Sequence, residues 1–121
     1  MDKEKIYKKL NNLEIEKNKY IVLSGDALVL QNIIDETNDI DLSCDLETYL
    51  EIDWKCKIDA FGIEIKYFDC FKIGTNLYNS EKIVEISGFK VANLEYILEI
   101  KKLLNRKKNE KIIKKIEKVL N

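Results

Sequence analysis

Between positions 20 and 44 the apolar pattern changes period three times, and that succession restricts the chain to an architecture mixing helices and strands. Tyr20-Ile21-Val22-Leu23 is a continuous apolar run stopped by Ser24-Gly25, the pattern of a short buried strand that ends in a turn. Asp26 to Ile34 carries Ala27, Leu28, Leu30, Ile33 and Ile34, enough for about two helical turns. Asp35-Glu36-Thr37-Asn38 is a turn cluster. Asp39-Ile40-Asp41-Leu42-Ser43-Cys44 then alternates strictly. A strand there points Ile40, Leu42 and Cys44 at the core and puts Asp39, Asp41 and Ser43 on the opposite face.

The flanking segments extend the same logic. Ile6, Leu10 and Leu13 predict an opening amphipathic helix, and Leu46, Tyr49, Leu50 and Trp54 return to helical spacing. After Gly62 a second alternating run sends Ile63, Ile65 and Tyr67 one way and Glu64 and Lys66 the other. Phe71–Ile73 and Lys82–Ile86 are further strand candidates, the latter ending at Ser87-Gly88. Asn93 is a suitable N-cap for a helix from Leu94 to about Leu104. A last helix gathers Ile112, Ile113, Ile116, Val119 and Leu120 on one face and lysines on the other. The expected fold is α+β: a small mixed sheet packed with helices, two of them at the C-terminal end. With 121 residues and no linker or repeat, one domain spanning 1–121 is expected.

Two absences exclude whole chemistries. Without histidine the chain has no His-based triad, no Cys–His pair and few routes to a zinc site; without proline its turns fall to glycine, Asn, Asp and Ser. Cys44, Cys56 and Cys70 match no zinc or redox spacing and are expected to be small core hydrophobes. The opening residues are not those of a signal peptide, and no apolar run suits a spanning helix, so a cytoplasmic protein with no membrane contact is expected. Charge is uneven. Leu23 to Glu64 holds eleven acids against two lysines, and Lys101 to Asn121 holds nine basic residues against two acids. Such asymmetry fits a cation site beside an anion-binding tail, and equally a chain rich in Lys and Glu with solvated helix faces.

The stretch that could carry chemistry is strand, Ser24-Gly25, helix, turn, Asp39-x-Asp41. A small-residue turn opening a helix lets a phosphate approach free N–H groups. Aspartates two apart on a strand place both carboxylates on one face, about 6–7 Å apart at Cα, within reach of one or two hard cations. A third carboxylate from a neighbouring strand would complete a two-metal centre for nucleotidyl transfer, and Glu64 has the expected parity. The spacing alone is unspecific. Five acid-x-acid triplets occur, against about four expected by chance. Only the order of elements before it sets the Asp39/Asp41 pair apart. The aromatics Tyr49, Trp54 and Tyr96 read as core rather than as stacking platforms, and the lysine face of the last helix lacks the interleaved aromatics of a nucleic-acid surface.

Residues 20–28 with Thr37-Asn38-Asp39-Ile40-Asp41-Leu42 resemble the nucleotidyltransferase superfamily of the DNA polymerase β type. Val91 to Lys101, with Arg106-Lys107-Lys108, is similar to the helical end of its minimal branch, which includes abortive-infection and aminoglycoside nucleotidyltransferases. The resemblance implies a nucleotidyltransferase fold and Mg²⁺ (or Mn²⁺) held by Asp39, Asp41 and Glu64, with these three residues as the catalytic set. It also implies a nucleoside triphosphate contacted by Ser24, Gly25, Lys101, Arg106 and Lys108. The implied activity moves a nucleoside monophosphate to an acceptor hydroxyl on a small molecule, protein or RNA, and so short a chain implies a second copy or a small protein partner. The alternative is the same fold as a non-catalytic binding module, one half of a toxin–antitoxin or phage-defence pair. The match departs from the family pattern at Ser24 and Gly25, at Asp26, which sets an acid beside the phosphate turn, and at Asp35, Asn109 and Lys111.

Overall fold

The computed structural model of the chain describes residues 1–75 and 80–121. Its elements in chain order are α1 (Lys3–Asn11), β1 (Tyr20–Leu23), α2 (Ser24–Leu30), β2 (Ile40–Cys44), α3 (Leu46–Glu51), β3 (Lys55–Ile58), β4 (Glu64–Phe68), β5 (Phe71–Gly74), β6 (Ile83–Ile86), β7 (Phe89–Ala92), α4 (Leu94–Leu104) and α5 (Glu110–Leu120). The strands form one sheet in the order β3-β4-β5-β2-β1-β7-β6. Pairing is mixed. β1 runs antiparallel to β2, while β2–β5 and β1–β7 are parallel. The fold is α+β, as the alternation of periods requires.

Helix starts follow local chemistry. The Asp2, Asp45 and Asn93 side chains accept the N–H of Lys5, Thr48 and Tyr96 and so cap α1, α3 and α4. α4 stops at Asn105, whose φ of 46° is the left-handed conformation that ends helices. The core is one cluster. Ile6 and Leu10 of α1 and Ala27 and Leu28 of α2 join Tyr20, Val22, Ile40, Leu42, Ile73, Phe89 and Val91 of the sheet, and α4 and α5 contribute Ile97 and Ile116.

Several expectations are corrected. α2 covers Ser24–Leu30 rather than starting at Asp26 and reaching Ile34. The helical spacing from Leu46 to Trp54 yields a helix only to Glu51, with Leu50 exposed and Trp54 beyond the end. The strands β3 and β7 fall where no strand was read. Of the cysteines only Cys44 is buried; Cys56 lies exposed on β3, and Cys70 is half-buried in the β4–β5 turn. The apolar stripe of α5 is only partly covered, since Ile116 is buried while Val119 and Leu120 stay exposed. No helix among the described residues is long and apolar enough to cross a membrane.

Candidate active site

The pairing register decides which side chains can meet. Residues directly paired across neighbouring strands point to the same face. Asp41 pairs with Leu23 on one side and Lys72 on the other, and Lys72 pairs with Tyr67. Asp39, Asp41, Lys72 and Tyr67 therefore share a face. Leu42 pairs with Val22 and Ile73, and Ile73 with Lys66, so those side chains occupy the reverse face.

Glu64 lies two residues from Lys66 on β4 and takes its face, not that of Asp41. The parity that made Glu64 a third acid is thus reversed. Its carboxylate accepts the Tyr49 hydroxyl at 2.8 Å, on the side where α3 packs. Lys66, expected on a polar face, is buried there, and its ammonium donates to the carbonyls of Tyr49 and Ile52 at 2.7 Å each. The alternation in β4 was legible, but which of its faces is covered depends on α3.

Around the aspartates the charges are dense. Lys72 Nζ lies 3.2 Å from Asp39 Oδ2, with both side chains partly exposed. Asp41 is half-buried. Burial raises its carboxyl above the ordinary 3.8, the charge of Asp39 adds to that, and Lys72 and Lys101 oppose it. Asp26 is fully buried. Its Oδ1 accepts the Asp41 backbone N–H at 3.1 Å, and its Oδ2 has no partner. Burial, then the neighbouring Asp41 charge, holds Asp26 well above the ordinary carboxylate range, so burial opposes a negative charge beside the turn.

The small-residue turn abuts this cluster, because Ser24 directly follows Leu23, the partner of Asp41. Ser24 is exposed with a left-handed φ of 55°. A Cβ on Gly25 would stand 2.6 Å from Thr37 Oγ1, so a larger residue there would force the Thr37 side chain to shift. Lys101, on α4, is half-buried with its Nζ 3.5 Å from the buried Asn109 Oδ1. Burial lowers its affinity for the proton, the charges of Lys108 and Arg106 lower it further, and Asp41 opposes them, which ties these residues into one electrostatic group. Arg106 and Lys108 are themselves exposed, and the Arg106 guanidinium lies over the Phe61 ring, 5.1 Å from its centroid.

Of the residues expected from sequence, Asp39, Asp41, Ser24 and Gly25 lie at one end of β1 and β2, with Lys101 within electrostatic reach of Asp41. Arg106 lies against Phe61, and Glu64 is on the other face. Lys72 was missed, and Asp26, marked as an acid beside the turn, proves fully buried. Alternation around Phe71 and Ile73 could have put Lys72 on a polar face, but only the β2–β5 register sets it beside Asp41. Among the described residues no three His, Cys, Asp or Glu side chains converge as a metal cage. Two carboxylates do suit Mg²⁺, which commonly takes one or two of them and completes its shell with water and phosphate oxygens.

Comparison with known proteins shows that this α+β architecture is a nucleotidyltransferase-like fold. The crystal structure of a "putative nucleotidyltransferase" from Thermotoga maritima matches with a TM-score of 0.50, covering 93% of this chain and 88% of that one at 20% sequence identity. No protein-family model and no curated protein matches the chain.

Proposed function

We propose that the chain binds a nucleoside triphosphate with Mg²⁺ or Mn²⁺ and transfers its nucleoside monophosphate to an acceptor hydroxyl. The supporting observation is the meeting of Asp39 and Asp41, on one sheet face, with the Ser24-Gly25 turn and the Lys101 ammonium. In the reaction the acceptor oxygen bonds to the α-phosphorus, the α–β anhydride bond breaks, and pyrophosphate and the hydroxyl proton leave. Asp39 and Asp41 would hold the metal, which supplies charge neutralisation at the phosphates. Lys101 offers a half-buried positive charge for the triphosphate, and Gly25 keeps the turn free of a side chain that would crowd it. Arg106 and Lys108 add positive potential at the margin.

Calorimetric titration with ATP, with and without Mg²⁺ or Mn²⁺, tests this. Metal-dependent binding should weaken at least about 100-fold in Asp41→Ala and in the isosteric Asp41→Asn, since even the outer partners of metal ligands commonly cost 10–100-fold. Unchanged binding in both variants, or none at millimolar ATP, overturns the proposal. A second reading, the same fold as a non-catalytic half of a toxin–antitoxin or defence pair, is favoured by the ion pair of Asp39 with Lys72 and by the lack, among the described residues, of three acids converging on one ion. It predicts partner binding indifferent to Asp39→Ala and Asp41→Ala.

A further inference from the structure

The face that carries Asp39 and Asp41 presents a lysine where a two-metal centre would need an acid. β5 is the strand adjacent to β2 on the side away from β1, and parallel pairing sets Lys72 directly beside Asp41. Neighbouring strands lie about 4.8 Å apart, so Lys72 starts from the position out of which a third carboxylate could reach the same ions. Its ammonium is turned onto the pair, 3.2 Å from Asp39 Oδ2, and its charge is felt at Asp41. Glu64, the β4 acid expected to serve, faces the other way and accepts the Tyr49 hydroxyl.

We propose that Lys72 is a resident cation in the second-ion position, so that the site takes one divalent ion with its nucleotide rather than two. This rests on the reading of Asp39 and Asp41 as metal ligands. An ammonium anchored against Asp39 repels a second divalent ion and removes the oxygen ligand that such an ion would use. It leaves Asp41, flanked by Lys101, as the principal ligand of the single ion. Lys72 thereby acts through the carboxylates, as a positioning residue, and sets the number of metals. Before the metal arrives it also competes for Asp39, which limits affinity in the nucleotide-free protein.

The readout is the number and affinity of Mn²⁺ ions bound per chain, taken from the paramagnetic resonance signal of free Mn²⁺ with and without α,β-methylene-ATP. The wild-type protein should bind one ion with the analogue present. Lys72→Met should bind one ion about two- to five-fold tighter, the range that loss of a partly exposed competing ion pair allows. Lys72→Asp should bind two. Two ions in the wild type, Lys72→Met binding no tighter, or a folded Lys72→Asp still limited to one ion each overturns the proposal. In those cases Mn²⁺ binding that disappears in Asp41→Asn leaves the nucleotidyl-transfer reading standing. No saturable Mn²⁺ binding in wild type, Lys72→Met or Lys72→Asp overturns both.

Discussion

Two regions of the molecule each bury an ionisable side chain, and they treat it in opposite ways. On the α3 side, Lys66 is only 9% exposed, yet its ammonium has two carbonyl partners at 2.7 Å and stands over the Tyr49 ring. Those carbonyls belong to the end of α3, where the helix dipole favours a cation. Beneath the aspartate pair, Asp26 is wholly buried, has one carboxyl oxygen bonded and one bare, and sits within the fields of two further acids. Satisfied burial of a charge is a structural device; under-satisfied burial beside like charges is a cost that a plain scaffold has no reason to keep. On the proposed function, the contrast separates the acids that would hold the metal from Glu64 and Lys66, whose bonds hold α3 in place.

The largest expected effect on stability tests the satisfied region. Lys66→Met keeps the stem and deletes the ammonium, so the Ile52 carbonyl loses its donor while the Tyr49 carbonyl keeps the Ile52 N–H at 3.2 Å. An unpaired buried acceptor costs about 1–3 kcal/mol, partly regained because the buried charge goes too, so a loss of about 1–2 kcal/mol is expected in urea unfolding. Metal-dependent ATP binding should stay within about two-fold of wild type. A loss below about 0.5 kcal/mol would show that Lys66 is not the cap of α3 that its distances describe.

The second effect has the opposite sign. An acid with a raised folded-state pKa binds its proton more tightly in the folded protein than in the unfolded chain. Its contribution to stability is therefore fully present below the ordinary value of 3.8 and is lost as pH rises through the folded value. Asp26→Asn preserves an acceptor for the Asp41 N–H and removes the titration. At pH 7 in EDTA it should be more stable than wild type, because the folded state no longer holds a carboxyl whose ionisation burial opposes. That gain should shrink toward zero as pH falls to about 4, read from urea midpoints across the pH series. A gain independent of pH would mean that Asp26 binds its proton equally in the folded and unfolded protein, against what its burial requires.

What was readable in the sequence divides along the same line. Local signals survived intact: the run at Tyr20–Leu23, the alternation at Ile40–Cys44 and the Asn93 cap each became the element expected. The Asp39/Asp41 face was legible because β2 lies at the sheet's centre, where Ile40 and Leu42 leave no doubt about the core side. β4 sits nearer the edge, and its alternation was just as clear, but period 2 does not say which face is covered. A six-residue helix, α3, settled that by packing over Lys66 and Glu64, and nothing local to β4 encodes it. Lys72 was missed for a related reason. Its neighbour Asp41 lies on another strand, and parallel register comes from the whole sheet rather than from the segment Phe71–Gly74.

The smallest effect is the most exacting test of that division. Glu64 is exposed, and the structure gives its carboxylate one partner, the Tyr49 hydroxyl at 2.8 Å. Burial, and then this bond to an anion, raises the Tyr49 hydroxyl pKa, so the hydroxyl remains a donor at any physiological pH. Glu64→Gln keeps an acceptor oxygen in place and loses only the charge assistance, which leaves a stability change below about 1 kcal/mol. If the two regions are separate, ATP and Mn²⁺ titrations of Glu64→Gln should superpose on wild type within about two-fold while Asp41→Asn loses binding at least about 100-fold. Weakened metal binding in Glu64→Gln would require β4 to present its other face in solution. That rotation would have to break the Lys66 bonds to Tyr49 and Ile52, so it would appear together with a collapse of the Lys66→Met stability effect. The two measurements thus constrain each other, and a register in which Glu64 joins the aspartates cannot pass both.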